Sequence, residues 1–155
     1  MNDQTQTPAP TGLQLLQAML AGGKNIATIG ETLDFTLTEA EFGKAVFVGH
    51  PGGRHLNPRG VVHGGYAATL LDSAVGIAIL SALPAGKAFT TLELKVNYVR
   101  ELPKDGSTVT ATGHTIHVGR TTATAEGRIE DSQGRLLAHA TTTCLILDIP
   151  PARGT

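Results

Sequence analysis

The stretch HGGYAATLLDSAVGIAILSAL, residues 63–83, decides how the rest of the chain is read. Tyr66, Ala67, Leu70, Leu71, Ala74, Val75, Ala78 and Ile79 almost encircle it at helical spacing, and a helix apolar on most sides is a buried one. Pro84 and Gly86 end the run. One narrow polar stripe remains, Thr69, Asp72, Ser73 and Gly76, spaced i, i+3, i+4 and i+7 on one face. A carboxylate on an otherwise apolar helix is costly unless it is paired or functional, so Asp72 is the residue to explain. The plain explanations are an Asp satisfied by a buried partner, or a helix face that meets solvent.

Downstream of the helix the period changes to two. Leu92, Leu94, Val96 and Tyr98 alternate with Glu93, Lys95 and Asn97, which predicts a strand with one buried face. Three more strands follow at about 107–117, 120–130 and 135–147. Their turn signals are Pro103-Lys104-Asp105-Gly106, Gly119 and Asp131-Ser132-Gln133-Gly134. Short connections imply antiparallel hairpins, so these four strands read as a meander. Upstream, two short strands are expected at 26–35 and 44–48. A loop over 49–60 follows, with four glycines, two prolines and two histidines. Further back, Leu13, Leu16, Gln17 and Leu20 recur at helical spacing, with Thr11 as cap and Gly22-Gly23 as stop. Residues 1–10 read as a disordered tail and 11–150 as a single domain. The fold class that satisfies all of this is α+β, a curved antiparallel sheet of five to six strands wrapped around one long central helix.

Composition narrows the function. The chain has 155 residues, 41% hydrophobic and 16% charged, enough for a real core without staples. A formal charge of −1 gives no electrostatic argument for nucleic acid or an anionic membrane as partner. Residues 1–10 hold no Lys or Arg and no long apolar run, so no signal peptide is read there. No apolar run is read as reaching the roughly 18 residues of a membrane span, and the expected location is the cytoplasm. The lone cysteine, Cys144, excludes an internal disulfide and reads as a small buried strand residue. His114, His117 and His139 fall in strands with no ligand-like spacing, so no metal site is expected.

Residues 55–72 read HLNPRGVVHGGYAATLLD. His63-Gly64-Gly65 stands where the loop becomes the helix. Unpaired N–H groups at a helix start carry partial positive charge and bind anions or polarised oxygens. Glycine there lets a ligand carbonyl approach the backbone. Standing alone, the pair would be explained as well by a tight turn. Gly64 and Asp72 are eight residues apart, about 12 Å at about 1.5 Å per residue. That is too far for both to touch one reacting carbon. If both act on one substrate, they come from two subunits of a symmetric dimer.

The same segment resembles the hotdog-fold thioesterases, above all the phenylacetate-pathway type and the 4-hydroxybenzoyl-CoA thioesterases. Their pattern is an Asn or Gln, then G-x-x-H-G-G, then an acidic residue eight positions past the first paired glycine. Here those are Asn57, Gly60, His63, Gly64, Gly65 and Asp72. The resemblance runs from about residue 43 to 147. It implies a hotdog fold, and an enzyme that hydrolyses an acyl-CoA thioester to a carboxylate and free CoA, working as a homodimer or homotetramer. The Gly64 N–H would polarise the thioester carbonyl, with Gly65 beside it in contact with substrate. Asn57 would contact the carbonyl or the attacking water. Asp72, from the partner subunit, would serve as general base or as nucleophile. His63 would shape the loop by hydrogen bonding. Thr91, with Thr90 adjacent, would position water. Relatives with a glutamate at the Asp72 position carry a Thr one turn further on. Gly76 stands there here, which points to the aspartate type of site.

CoA is phosphorylated, so its binder needs local cations and N–H donors. Arg100, at the end of the alternating strand, is one candidate. The turn Val118-Gly119-Arg120-Thr121-Thr122 is the other, and the resemblance also assigns CoA contacts to that hairpin. A solvated strand-end Arg and a plain hairpin turn are the ordinary explanations. CoA belongs to the substrate, and no separate cofactor is expected. Two rival functions remain. An acyl-CoA hydratase or dehydratase on the same fold would need an Asp–His dyad in a different motif. A non-enzymatic acyl-CoA binding module would normally bring a DNA-binding domain, for which the chain has no room.

Overall fold

The long helix forms over Gly64–Ser81 and touches all six strands of one antiparallel sheet. The structure, a computed structural model, describes residues 9–22 and 28–150. In chain order the elements are α1 (Gly12–Gly22), α2 (Ile29–Leu33), β1 (Phe35–Glu41), β2 (Lys44–Gly49), a 3-10 turn (Gly53–His55), α3 (Gly64–Ser81), β3 (Lys87–Tyr98), β4 (Val109–Val118), β5 (Thr122–Asp131) and β6 (Leu136–Asp148). The expected hotdog architecture is present, with six strands. The expected tail over 1–10 lies mostly outside the described residues, as does Gly23.

The core follows from the encircling apolar pattern. Leu70, Leu71, Ala74, Val75, Ala78 and Ile79 have no exposed surface. Each buried Leu or Ile of this kind contributes about 1.5–3 kcal/mol. The sheet meets α3 with small residues: Ala45, Ala111, Ala123, Ala125, Ala138 and Ala140 are all buried. At Gly113 even a methyl group would overlap the Ala74 carbonyl, so the helix backbone rests directly on β4. The apolar run was underestimated from sequence. With mean hydropathy 1.3 over 18 residues, α3 is long and apolar enough to cross a membrane. In this fold its apolar surface is spent on the sheet instead.

The meander is corrected. Strand order is β1-β2-β4-β5-β6-β3. β4, β5 and β6 follow one another as expected, but β3 pairs with β6, from Lys87↔Asp148 to Tyr98↔Ala138. The reason lies in residues 99–108. The N–H groups of Val99 and Arg100 both donate to the Leu137 carbonyl, which fixes the exit of β3 at the start of β6. The Gly106 N–H then donates to Pro51 O, so the expected hairpin turn is a crossing connection tied to another loop.

Two local expectations also change. Residues 26–27 lie outside the described residues, and 29–33 form α2 rather than strand. Ile29 and Leu33 are an i, i+4 pair on one helical turn. Asp34, at φ 59°, closes it by donating its N–H to Gly30 O, and the strand starts only at Phe35. Leu92, expected on the buried face of β3, is 58% exposed. A bulge between Thr91 and Glu93 shifts the alternation by one, so Phe89 and Thr91 face inward before it and Leu94 and Val96 after it. The Thr142 hydroxyl donates to the Glu93 carbonyl (2.7 Å) beside the bulge. At the N-terminus Thr11 and Gln14 cap α1 reciprocally. Thr11 N–H donates to Gln14 Oε1 (2.8 Å), and Gln14 N–H to Thr11 Oγ1 (3.3 Å).

Candidate active site

The motif residues fall into two groups. The first sits at the start of α3. The loop before it is shaped by Asn57, whose Oδ1 accepts from the Arg59 N–H (2.9 Å) and the Val61 N–H (3.4 Å). Its Nδ2 makes no hydrogen bond among the described residues, so the donor end of the amide is the end left for a ligand. His63 is the N-cap, and its Nδ1 accepts from the Gly65 N–H (2.8 Å). The Gly65 N–H is therefore taken by the cap. The Gly64 N–H has no partner among the described residues, and it alone of the pair keeps the polarising capacity of a helix start.

Tyr98, at the end of β3, completes this group and was missed in the sequence. Its hydroxyl donates to the Gly64 carbonyl (3.0 Å). A Cβ at Gly64 would lie 3.1 Å from the ring and hydroxyl, so glycine is what lets the tyrosine sit there. The sequence offered only an aromatic at the end of an alternating strand, 34 residues from Gly64. Lys104 was also missed. Its Nζ donates to the Gly60 carbonyl (3.1 Å) and ties the motif loop to the crossing connection.

His55 lies beneath the loop, 7% exposed, with Nδ1 accepting from the Gly52 N–H (2.9 Å) and its ring 4.8 Å from that of Tyr66. Burial, then the neighbouring Arg54 charge, lowers its pKa below 6.5, while Asp34 opposes them. Burial foremost pushes the Tyr66 hydroxyl up to about 12. Both are neutral supports of the loop at neutral pH.

The second group surrounds Asp72. On the polar stripe, Thr69 and Ser73 bond back to their own helix, to Gly65 O (2.8 Å) and Thr69 O (2.9 Å). Asp72 alone reaches another element: the Thr91 hydroxyl on β3 donates to Asp72 Oδ1 (3.1 Å). Thr91 is half-buried and Thr90 exposed, so Thr91 is the threonine that faces the helix. A Cβ at Gly76 would come within 2.8 Å of Phe89, whose ring fills the space a threonine would need. Asp72 and Gly76 line a cavity of about 340 Å³ walled mainly by apolar side chains. Cys144, buried on β6 opposite Thr91, has its thiol pKa raised, chiefly by burial.

The two groups are separate in one chain. Tyr98 pairs with Ala138 and Thr91 with Cys144, six residues apart on β6 or about 20 Å at about 3.3 Å each. The CoA candidates divide in the same way. Arg100 Nη1 donates to Leu136 O (2.7 Å), whereas Thr122 pairs with Leu145, about 30 Å further along β6. Arg100 belongs with the helix start, and Val118–Thr122 lies toward the Asp72 end. The Gly119 N–H donates to Thr122 O (2.8 Å) and closes the turn, which leaves Arg120 and Thr121 exposed at the tip. No cluster of three or more His, Cys, Asp or Glu that could hold a metal ion occurs among the described residues.

Residues 59–138, more than half of the chain, match the family model of the thioesterase superfamily. The 1,4-dihydroxy-2-naphthoyl-CoA hydrolase of Listeria monocytogenes is 28% identical over 116 residues, 75% of this chain and 93% of the relative. A hypothetical thioesterase of Streptococcus pneumoniae, solved with coenzyme A, is 28% identical with a TM-score of 0.68, covering 75% of this chain and 88% of that one. The PaaI protein from the phenylacetic acid degradation operon of E. coli has a TM-score of 0.74 at 24% identity, over 85% and 92% of the two chains, a likeness of fold.

Proposed function

The chain belongs to the thioesterase superfamily, and from that premise we propose that it hydrolyses acyl-CoA thioesters to a carboxylate and free CoA at sites shared between two subunits. The observation that carries this reading is Asp72: a half-buried carboxylate, held by Thr91 (3.1 Å), on the wall of an apolar cavity. The Thr91 hydroxyl occupies Oδ1 and leaves Oδ2 for chemistry. As general base, Asp72 takes a proton from water as the oxygen attacks the thioester carbon. As nucleophile, its oxygen attacks that carbon, expels the CoA thiolate and leaves an anhydride for water to cleave. In both routes the C–S bond breaks, a C–O bond forms, and negative charge develops on the carbonyl oxygen. The partner-free Gly64 N–H suits that oxygen, with Asn57 Nδ2 beside it.

The dimer reading is supported by the sheet edge. β3 is an edge strand of 12 residues with Leu92 and Tyr98 exposed on it and Val99 exposed just past its end, and a long unpaired edge calls for a cover. Two copies joined antiparallel along β3 would set the Tyr98 end of one strand beside the Thr91 end of the other. That pairing would also bring Arg100 of one chain toward the Val118–Thr122 hairpin of its partner. CoA as the carrier is favoured by the pneumococcal neighbour solved with coenzyme A, and an aromatic acyl group by the naphthoyl-CoA hydrolase. Against a hydratase, the motif histidine next to the glycines, His63, has its Nδ1 engaged as the N-cap of α3 by the Gly65 N–H. The test is a panel of acyl-CoAs with free thiol followed by a thiol reagent. Thiol release with at least one acyl-CoA is expected, and release from none would refute the reading.

A further inference from the structure

Helix α1 is not needed for the chemistry above, yet it is built tightly into the molecule. The Gly12 N–H donates to the Leu83 carbonyl (3.1 Å), and a side chain at Gly12 would overlap the Leu80 carbonyl. The helix is thus anchored by its first residue to the C-terminal end of α3, and it packs on β1 and α3. From that anchor its later residues, Met19 and Leu20, join Ile29 of α2 in walling the cavity that holds Asp72, Gly76 and Phe89. Met19, Leu20 and Ile29 are 46%, 36% and 56% exposed. Large apolar side chains left open around a cavity with a carboxylate on its wall fit a ligand with an apolar body and a polar reacting head.

We propose that α1 is the acyl-selecting wall of the site: the acyl group runs from Asp72 across Gly76 and Phe89 to end against Met19 and Leu20. This rests on the thioesterase reading of Asp72 and deepens it. The cavity of about 340 Å³ lies within the size range of small-molecule sites. The preferred acyl group is therefore apolar and long enough to reach Met19 and Leu20 rather than short. Of the other polar side chains of the cavity, Thr28, Glu31 and Thr36 are exposed and the half-buried Ser73 donates back to Thr69 O of its own helix, so the buried route from Asp72 is mainly apolar.

The test uses S-butyl-CoA and S-decyl-CoA, thioethers that cannot be hydrolysed, beside turnover of butyryl-CoA and decanoyl-CoA. Affinities are measured by calorimetry on the wild-type chain and on Met19→Trp and Leu20→Trp, with folding checked by circular dichroism. Filling the far end of the cavity is expected to lower the decyl-to-butyl affinity ratio about tenfold or more, and the turnover ratio with it. A ratio unchanged within about twofold in both folded variants overturns the proposal. An unchanged ratio together with an altered oligomeric state overturns it in favour of an interface between copies of this chain. If S-decyl-CoA binds and the tryptophans weaken it, yet no acyl-CoA is cleaved, the wall stands and the hydrolase reading falls.

Discussion

The start of α3 and its middle are two turns apart on one helix and are built on opposite plans. At the start, the polar groups are backbone: the Gly64 N–H and carbonyl, arranged by the His63 cap and the Tyr98 hydroxyl. At the middle, the polar groups are side chains: Asp72 held by Thr91 beside an apolar cavity. One region offers a fixed dipole at a helix start. The other offers a carboxylate and no free donor for an oxyanion. Each has what the other lacks, which is the division the proposed shared site calls for.

The comparison can be broken most severely at Asp72. Asp72→Asn keeps the shape and removes the base or nucleophile. We expect kcat to fall about a thousandfold with the circular dichroism spectrum unchanged. A variant with near-native turnover would move the chemistry elsewhere. The next largest effect is a gain. Asn57→Ala and Asp72→Ala chains, each nearly inactive, should on mixing recover about a quarter of wild-type activity, because half the dimers are hybrids with one intact site. No recovery once subunit exchange is verified would mean that the half-sites do not meet. Smaller effects sharpen each half. Thr91→Val should lower kcat about tenfold while exposed Thr90→Val stays within about twofold, and Tyr98→Phe should cost about threefold through loss of one hydrogen bond. Equal effects at the two threonines would remove Thr91 from the site.

The smallest effect concerns the support under the helix start. Burial holds the His55 pKa below 6.5 in the folded chain. The unfolded chain therefore takes up the proton first as pH falls. Stability is unaffected by His55 above about 6.5 and is lost progressively below it, down to the folded pKa. Urea melts at pH 5 and pH 7.5 should differ less in His55→Phe than in wild type. An identical difference would mean that another group carries the acid sensitivity.

Much of the fold was legible. The encircling apolar residues of 66–79 specify a central helix, and the turn residues around 119 and 131–134 specify the β4-β5-β6 hairpins. The errors share a cause, in that each depended on a partner distant in sequence. Whether 99–108 is a hairpin or a crossing depends on Leu137 and Pro51, which accept its N–H groups. Leu92 keeps strict alternation in the sequence, but the bulge beside it is set by pairing with β6. The helical turn of α2 spans Ile29–Leu33, too short for periodicity to distinguish from a strand.

The same division runs through the site. The chemically unusual residues are readable along the chain: an aspartate on an apolar helix, paired glycines at its start, and a spacing of about 12 Å that keeps them apart. Those are local facts, written in composition and helical geometry. Which backbone donors keep a partner was settled only on folding. It gave the Gly65 N–H to His63 and the Gly119 N–H to Thr122, and left that of Gly64 without a partner among the described residues. It turned Thr91 rather than Thr90 toward Asp72 and set the Tyr98 hydroxyl against the Gly64 carbonyl. A hydrogen bond or cavity wall is made by groups far apart along the chain, and only the folded chain brings them together.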